Sequence, residues 1–331
     1  ADLVAFGRQS LADPAMPKKA LEERLEDMTP CIACLQGCVA NMYAGNPVCC
    51  LTNPFLGHEA EPIEKTENPK KVMVIGGGVA GLCAAFIAKE KGHEVTLYEA
   101  GDVLGGNMRL AAYPPGKGDI TNMIRSYIHR CQKDGVKIVM SCEVTPELIK
   151  EEKPDSVIIA TGSKTLILPI EGIDNPAIIH GSDLLDGKRP AGKKVLVVGG
   201  GMVGCETAAF LGEQEHDVTV IEFRDTVGAD VIHEHRVYLM KDFEDYGIKE
   251  ITGAKVCKFY EDGVEYETAD GVRHETRGYD SVILSMGFRN YNPLEEKIKD
   301  LVPETHVIGD AIRARRALDA TKEAYEVASR L

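Results

Sequence analysis

Five cysteines fall between positions 31 and 50: Cys31, Cys34, Cys38, Cys49 and Cys50. The run Cys31-x-x-Cys34-x-x-x-Cys38, followed by Cys50, offers four thiolates from one short segment. Thiolates are soft donors, and four of them suit the corners of a [4Fe–4S] cube. Structural zinc is the rival, although zinc sites favour two separated knuckle pairs or Cys/His mixtures. Cys49 is an alternative fourth ligand. The other five of the ten cysteines are scattered through apolar stretches. No basic-then-apolar signal segment opens the chain, so the cluster reads as metal ligands in a reducing cytoplasm rather than as a disulfide framework.

A second chemistry is written in glycine. Gly76-x-Gly78-x-x-Gly81 and Gly199-x-Gly201-x-x-Gly204 each follow an apolar run and open a helical one. Such a turn needs its first glycine for the tight bend, its second so that the backbone can approach a pyrophosphate, and its third for close helix–strand packing. The helix N-terminus then offers free N–H groups to the phosphates. A lone fingerprint is a weak signal. Here each is followed 18 residues after its last glycine by a strand-terminal acid, Glu99 and Glu222, suited to an adenosine ribose. For Glu222 this favours NADH over NADPH, because a carboxylate about 4 Å from a 2′-phosphate costs about 4 kcal/mol at an effective dielectric near 20. Arg224 works against that preference, since an arginine there can accommodate the phosphate.

The elements that position these residues repeat. The segment from Val72 to Ala100 aligns without a gap on the one from Val195 to Phe223, an offset of 123 residues. Each reads as a buried parallel strand, a glycine turn, a helix and a second β-branched strand. An echo follows in Asp155 to Gly162 and Asp280 to Gly287. The fold class is therefore α/β: two Rossmann-like dinucleotide-binding domains preceded by a short cluster-binding segment. Pro62 to Lys71 reads as a linker, Ala1 to Phe6 as a strand, Thr305 to Ile308 as a late strand, and the remainder to Leu331 as a final helix. A net charge of −14 speaks against nucleic acid or an anionic membrane as partner. No apolar run of about 18 residues is present.

The paired fingerprints resemble the two-dinucleotide flavoprotein fold of the pyridine nucleotide–disulfide reductases. That resemblance implies FAD on the first unit and NAD(P)H on the second. It adds Gly105, Gly106, Ala160, Thr161, Gly162, Gly309 and Asp310 to the FAD site, with Asp310 on the flavin ribityl chain. Asp310 also reads as an N-cap of the final helix. The redox cysteine pair of disulfide reductases is missing, since Gly106 is followed by Asn107-Met108-Arg109-Leu110. Disulfide reduction is not expected.

Pro30-Cys31-Ile32-x-Cys34-x-x-Gly37-Cys38 and Cys50-Leu51-Thr52-Asn53-Pro54 resemble a narrower family. These are the iron–sulfur flavoenzymes that include 2,4-dienoyl-CoA reductase, 2-enoate reductases and trimethylamine dehydrogenase. The match selects Cys50 over Cys49. In that family an FMN-binding barrel precedes the cluster. Ala1 to Arg8 with Leu11 to Pro14 looks like its last strand and turn, which places Gly7 and Arg8 at the FMN phosphate of the full-length enzyme. About thirty residues cannot make a barrel of about 250, so the chain reads as a fragment. The expected domains are 1–30 (barrel remnant), 31–61 (cluster segment), 62–71 (linker), 72–190 with 286–331 (FAD) and 191–285 (NAD(P)H).

The resemblance implies an NADH-dependent flavin oxidoreductase. Hydride passes from NADH to FAD, then electrons pass through the [4Fe–4S] cluster to FMN in the barrel, where an enoate, enoyl-CoA or other activated alkene is reduced. No side chain is assigned a catalytic role, and His233 and His235 read as surface or packing residues. Expected partners are the barrel in cis and the small organic substrate; homo-oligomerisation is left open. Two alternatives differ in class. One is a trimethylamine dehydrogenase-like protein whose first unit holds ADP as a structural nucleotide. The other is an electron-transfer subunit for a separate enzyme.

Overall fold

In the computed structural model, which describes residues 2–331, the first glycine turn joins strand β1 (Lys71–Ile75) to helix α1 (Val79–Glu90), and the chain returns as β2 (Glu94–Tyr98). Val72 to Ile75 are all buried, as the unbroken apolar run of a strand covered on both faces demands. The sheet is parallel throughout, in the order Glu304–Val307, Ser156–Ile159, β1, β2, Lys137–Val139. Strand order reverses beside β1, and the carboxyl ends of strands at such a point form the crevice where α/β sheets bind ligands. The final helix, Ala317–Ala328, shares a core with α1 through Ala320, Ala324 and Tyr325.

The second turn repeats this construction with β3 (Lys194–Val198), α2 (Met202–Glu213) and β4 (Asp217–Ile221). Even the register is copied: Lys71 pairs with Glu94, and Lys194 with Asp217. The order is Ile179–His180, Ser281–Leu284, β3, β4, Lys249–Ile251, again all parallel. An antiparallel ribbon of Ala254–Tyr260, Gly263–Thr268 and Arg273–Thr276 follows.

The chain divides into a first unit of 1–112, 119–163 and 290–331 and a second of 113–118 and 164–289. The sequence reading put the crossings at 190/191 and 285/286. Residues 164–190 instead belong with the second unit, because Ile179 and His180 pair with Ile283 and Leu284. A strand of two residues has too little periodicity to be read in advance.

The expected strand over 1–6 does not form. Ala1 lies outside the described residues, and 2–6 join no ladder, with Leu3 92% and Val4 67% exposed. A strand needs a neighbour's N–H and C=O groups, and no described strand supplies them.

The cysteine segment is made of short pieces, among them helices Gln9–Ala12, Met16–Leu21 and Val39–Tyr43. Its Leu51, 0% exposed, and Ile32 enter the same core as Leu82, Phe86 and Tyr127. The Tyr127 hydroxyl donates to the Leu51 carbonyl at 3.1 Å. Leu51→Ala is therefore expected to cost about 2–5 kcal/mol, read by urea unfolding. Leu21→Ala, at a position 86% exposed, is expected to change stability by less than about 0.5 kcal/mol.

Candidate functional site

At the first turn Gly76 has φ +110°, and a Cβ there would collide with the Ala160 carbonyl. A Cβ on Gly81 would collide with the carbonyl of Gly76, so the two glycines let helix, turn and neighbouring strand meet backbone to backbone. Glu99, at the end of β2, accepts from Gly77 N–H at 2.6 Å and Gly101 N–H at 2.7 Å. It thus ties the second strand to the turn and keeps a lone pair on each oxygen for a further donor. Gly105 N–H reaches the Gly77 carbonyl at 2.8 Å, and Gly105 bridges Gly78.

The structure brings the late motif to the same place. A Cβ on Gly309 would lie 3.1 Å from the Ala80 side chain in the first turn of α1. Asp310 accepts from the Ser163 hydroxyl at 2.9 Å and from Arg315 N–H at 3.0 Å. Glu323, on the final helix, accepts from Gly309 N–H at 2.8 Å and from Arg315 at 2.5 Å. Thr161 Oγ1 donates to the Tyr291 carbonyl, next to Gly162. Asp310 is not the N-cap of the final helix, the plainer role its position offered beside the flavin one. It sits in a 3₁₀ turn, Gly309–Ala311, while Arg316 occupies the N-cap.

The second turn reproduces these contacts. Gly199 has φ +106° against the Ser285 carbonyl, and a Cβ on Gly204 would strike the Gly199 carbonyl. Glu222 accepts from Gly200 N–H at 2.6 Å and Arg224 N–H at 2.9 Å. The Arg224 side chain is exposed. A Cβ on Gly201 would lie 3.5 Å from the Asp230 carboxylate. On α2, Glu206 is 6% exposed and forms an ion pair with Lys117, which the 113–118 excursion delivers. Burial pushes its carboxyl above the usual range, and Lys117 draws it part of the way back.

Cys31, Cys34, Cys38, Cys49 and Cys50 line one small open cavity, with Arg8 also in its lining. Gln9 frames the loop, donating to the Thr29 carbonyl at 2.9 Å and accepting from Cys31 N–H at 2.8 Å. Asp13, 4% exposed, holds Thr29 N–H at 2.9 Å and Lys19 at 2.8 Å. Ala33 and Leu35, on either side of Cys34, have φ +52° and +57°, which bends the backbone tightly around that thiol. Gly37 has no room for a side chain, since a Cβ would sit 2.5 Å from the Cys49 carbonyl. Burial lifts the Cys34 thiol to about 11, and Cys50, Cys38 and Cys31 add to the lift. Among the described residues no three His, Cys, Asp or Glu side chains are placed to hold one metal ion. Gly7 has open space around it, and both Gly7 and Arg8 are exposed.

All ten cysteines are free thiols. Burial raises Cys131 and Cys205 to about 12, and Cys83 is raised further still. Buried thiols held in the protonated form are poor redox nucleophiles.

Two parallel sheets with glycine turns facing the carboxyl ends of their strands define a two-dinucleotide flavoprotein fold. The chain belongs to the pyridine nucleotide-disulphide oxidoreductase family, whose model matches residues 70–301. It is an oxidoreductase, and membership implies FAD and NAD(P)H as cofactors. It is 33% identical over 334 residues to the cinnamate reductase of Clostridium sporogenes, covering 100% of this chain and 50% of that protein. It is 35% identical to the NADH oxidase of Thermoanaerobacter brockii, covering 99% and 52%. The structure of a 2-naphthoyl-CoA reductase with 2-naphthoyl-CoA superposes with a TM-score of 0.93 at 33% identity, covering 98% of this chain and 50% of that one. The resemblance drawn from the motifs is thus borne out, in a cinnamate reductase and a 2-naphthoyl-CoA reductase among the relatives. The chain spans about half the length of the relatives it matches. No helix among the described residues is long and apolar enough to cross a membrane.

Sequence reasoning missed Glu206 and Lys117. A signal existed: Glu206 stands where the first repeat has Cys83, a charge on a helix whose face is otherwise buried. Lys117→Met is expected to destabilise by about 3–5 kcal/mol, because it leaves a buried carboxylate unpaired. Because burial raises the folded-state carboxyl, the protein is most stable where Glu206 is protonated, below its unfolded value, and loses stability as pH rises through the folded one, a loss that Lys117 moderates. Urea unfolding from pH 5 to 8 should therefore show Lys117→Met falling more steeply than the wild type. Adding Glu206→Gln should flatten the profile again.

Proposed function

We propose that this chain is the NADH-oxidising, electron-relaying part of a reductase that acts on an activated alkene such as an enoate or enoyl-CoA. The single observation that carries the reading is that two dinucleotide turns of matched geometry and a five-cysteine cavity occur in one chain. When bound, FAD accepts hydride from the nicotinamide, and a [4Fe–4S] cluster carries electrons one at a time. The remaining work falls to the residues. Gly76, Gly78 and Gly81 admit the FAD pyrophosphate, Glu99 takes its ribose, and Asp310, oriented by Ser163, takes the ribityl hydroxyls. Gly105, Gly106, Ala160, Thr161, Gly162 and Gly309 form the close backbone wall around it. Gly199, Gly201 and Gly204 serve NADH in the same way, with Glu222 on the ribose and Arg224 beside it.

Cys31, Cys34, Cys38 and Cys50 are the proposed cluster ligands. They line one shared cavity, and their spacing favours an iron–sulfur cluster over structural zinc, which prefers two knuckle pairs or Cys/His mixtures. The lifted Cys34 thiol fits this reading, because crowded thiols ionise together only when a cation compensates them. Gly7 and Arg8 are proposed to meet the FMN phosphate of the full-length enzyme. The barrel in cis and the organic substrate belong to the same proposal, as does the cytoplasmic setting.

Anaerobically purified protein is expected to hold about four iron and four sulfide per chain, and acid extraction should release FAD. Release of ADP without flavin would move the protein to the structural-nucleotide class, and stoichiometric zinc without iron would remove the cluster. Cys50→Ser should lose the cluster, while Cys49→Ser should keep it. With a one-electron dye as acceptor, NADH should be oxidised faster than NADPH, and Glu222→Ala should narrow that ratio. Equal rates in the wild type would remove Glu222 as the selector.

A further inference from the structure

The two turns differ in charge at one position beside the helix N-terminus. Along the 123-residue offset Gly105 corresponds to Gly228, and both anchor alike: Gly105 N–H to the Gly77 carbonyl at 2.8 Å, Gly228 N–H to the Gly200 carbonyl at 2.7 Å. Two residues on, the first unit has Asn107 and the second has Asp230. The Asn107 amide turns away from the helix end and donates to Ser163 O at 3.3 Å. The Asp230 carboxylate turns toward it and accepts from Met202 N–H, the first residue of α2, at 2.9 Å. Its oxygens also lie 3.5 and 3.6 Å from where a side chain on Gly201 would begin. Gly201 is the glycine whose missing side chain lets a pyrophosphate approach.

We propose that Asp230 is an internal competitor for the pyrophosphate of NAD(P)H, seated on the helix N-terminus and displaced when the nucleotide binds. The proposal rests on the reading of the second unit as the NAD(P)H domain. A carboxylate and a pyrophosphate are both anions that seek the same N–H donors and the same positive end of the helix dipole. They cannot share that position, because like charges a few ångströms apart repel. Asp230 is exposed, whereas Val227 and Gly228 before it are buried. Val227 is pinned by Arg236, which donates to its carbonyl at 3.0 Å. Displacing the carboxylate from the helix end would leave the Arg236–Val227 and Gly228–Gly200 contacts of its loop in place. The consequence is a selective tax on phosphate-bearing ligands at this turn, with no counterpart at the first, where Asn107 carries no charge. A tightly retained nucleotide and an exchanging one are thereby built from the same turn.

The test compares wild type with Asp230→Asn in protein saturated with FAD. The probes are ADP-ribose, titrated calorimetrically, and adenosine, followed as a competitor of NADH. Removing the charge is expected to tighten ADP-ribose roughly tenfold and to move adenosine, which has no phosphate, by less than about twofold. Asp230→Ala, with no side-chain acceptor at all, should shift ADP-ribose in the same direction. Unchanged or weaker ADP-ribose binding overturns the proposal, as does an equal shift for both ligands, which marks a general effect on the loop. If ADP-ribose binds neither protein, the NAD(P)H reading fails and the proposal with it. Adenosine binding without ADP-ribose binding in the wild type, restored in Asp230→Asn, is the proposal in its strongest form.

Discussion

Everything in the two dinucleotide units depends on one close approach, that of a helix backbone to the strand turn feeding it. A Cβ on Gly81 would strike the Gly76 carbonyl, and one on Gly204 the Gly199 carbonyl. Any side chain at the third glycine would lever the helix off its strand and turn its free N–H groups away from the crevice. The turn is held from the other side by a carboxylate. Glu99 and Glu222 each accept from the N–H of the residue after the first glycine, at 2.6 Å in both units. One acid thus joins the end of the second strand to the turn in each unit.

The cysteine loop borrows its order from the first unit. Its own elements are too short to be stable in isolation, since helices below about 12 residues are marginal in water. Leu51 and Ile32 reach into the core beside α1, and Tyr127 ties off the Leu51 carbonyl. Gln9 and Asp13 then hold Cys31 and Thr29 from the upstream side. The loop is fixed at both ends by contacts distant in sequence. Strongly bent backbone at Ala33 and Leu35 persists only where the surroundings determine it in this way.

What was legible in the sequence is what local physics writes there. Buried parallel strands, glycine turns and strand-terminal acids are each specified within about thirty residues, and their repetition at a fixed offset made them secure. The late strand was also readable, at Glu304–Val307 rather than 305–308. Features decided by distant contacts were not. Residues 1–6 have the composition of a strand but no partner among the described residues. Residues 164–190 follow Ile179 and its ladder into the second unit. Asp310 has the residue type of a cap, yet its carboxylate is claimed by Ser163 and Arg315, and the final helix begins only at Ala317. Lys117 lies in a Pro-Pro-Gly-Lys-Gly stretch that reads as a plain loop, and only the fold shows that it neutralises Glu206.

The duplicated plan also shows where the two units have been driven apart. Positions that build the turn are the same in both: the three glycines, the strand-end glutamate, and the glycine that bonds back to the turn. Two of the positions that differ carry charge in the second unit alone. Cys83, fully buried, corresponds to Glu206, and neutral Asn107 corresponds to Asp230. The first unit keeps its helix and helix end free of ionised side chains at these points. The second unit places one carboxylate inside the helix face, at a desolvation cost that Lys117 offsets, and another against the helix N-terminus. On the proposed reading, the carboxylate at the helix N-terminus would weaken that turn's hold on a nucleotide that must leave after every turnover. The difference between the two units is thus expressed less in the fingerprint than in the charges set around it.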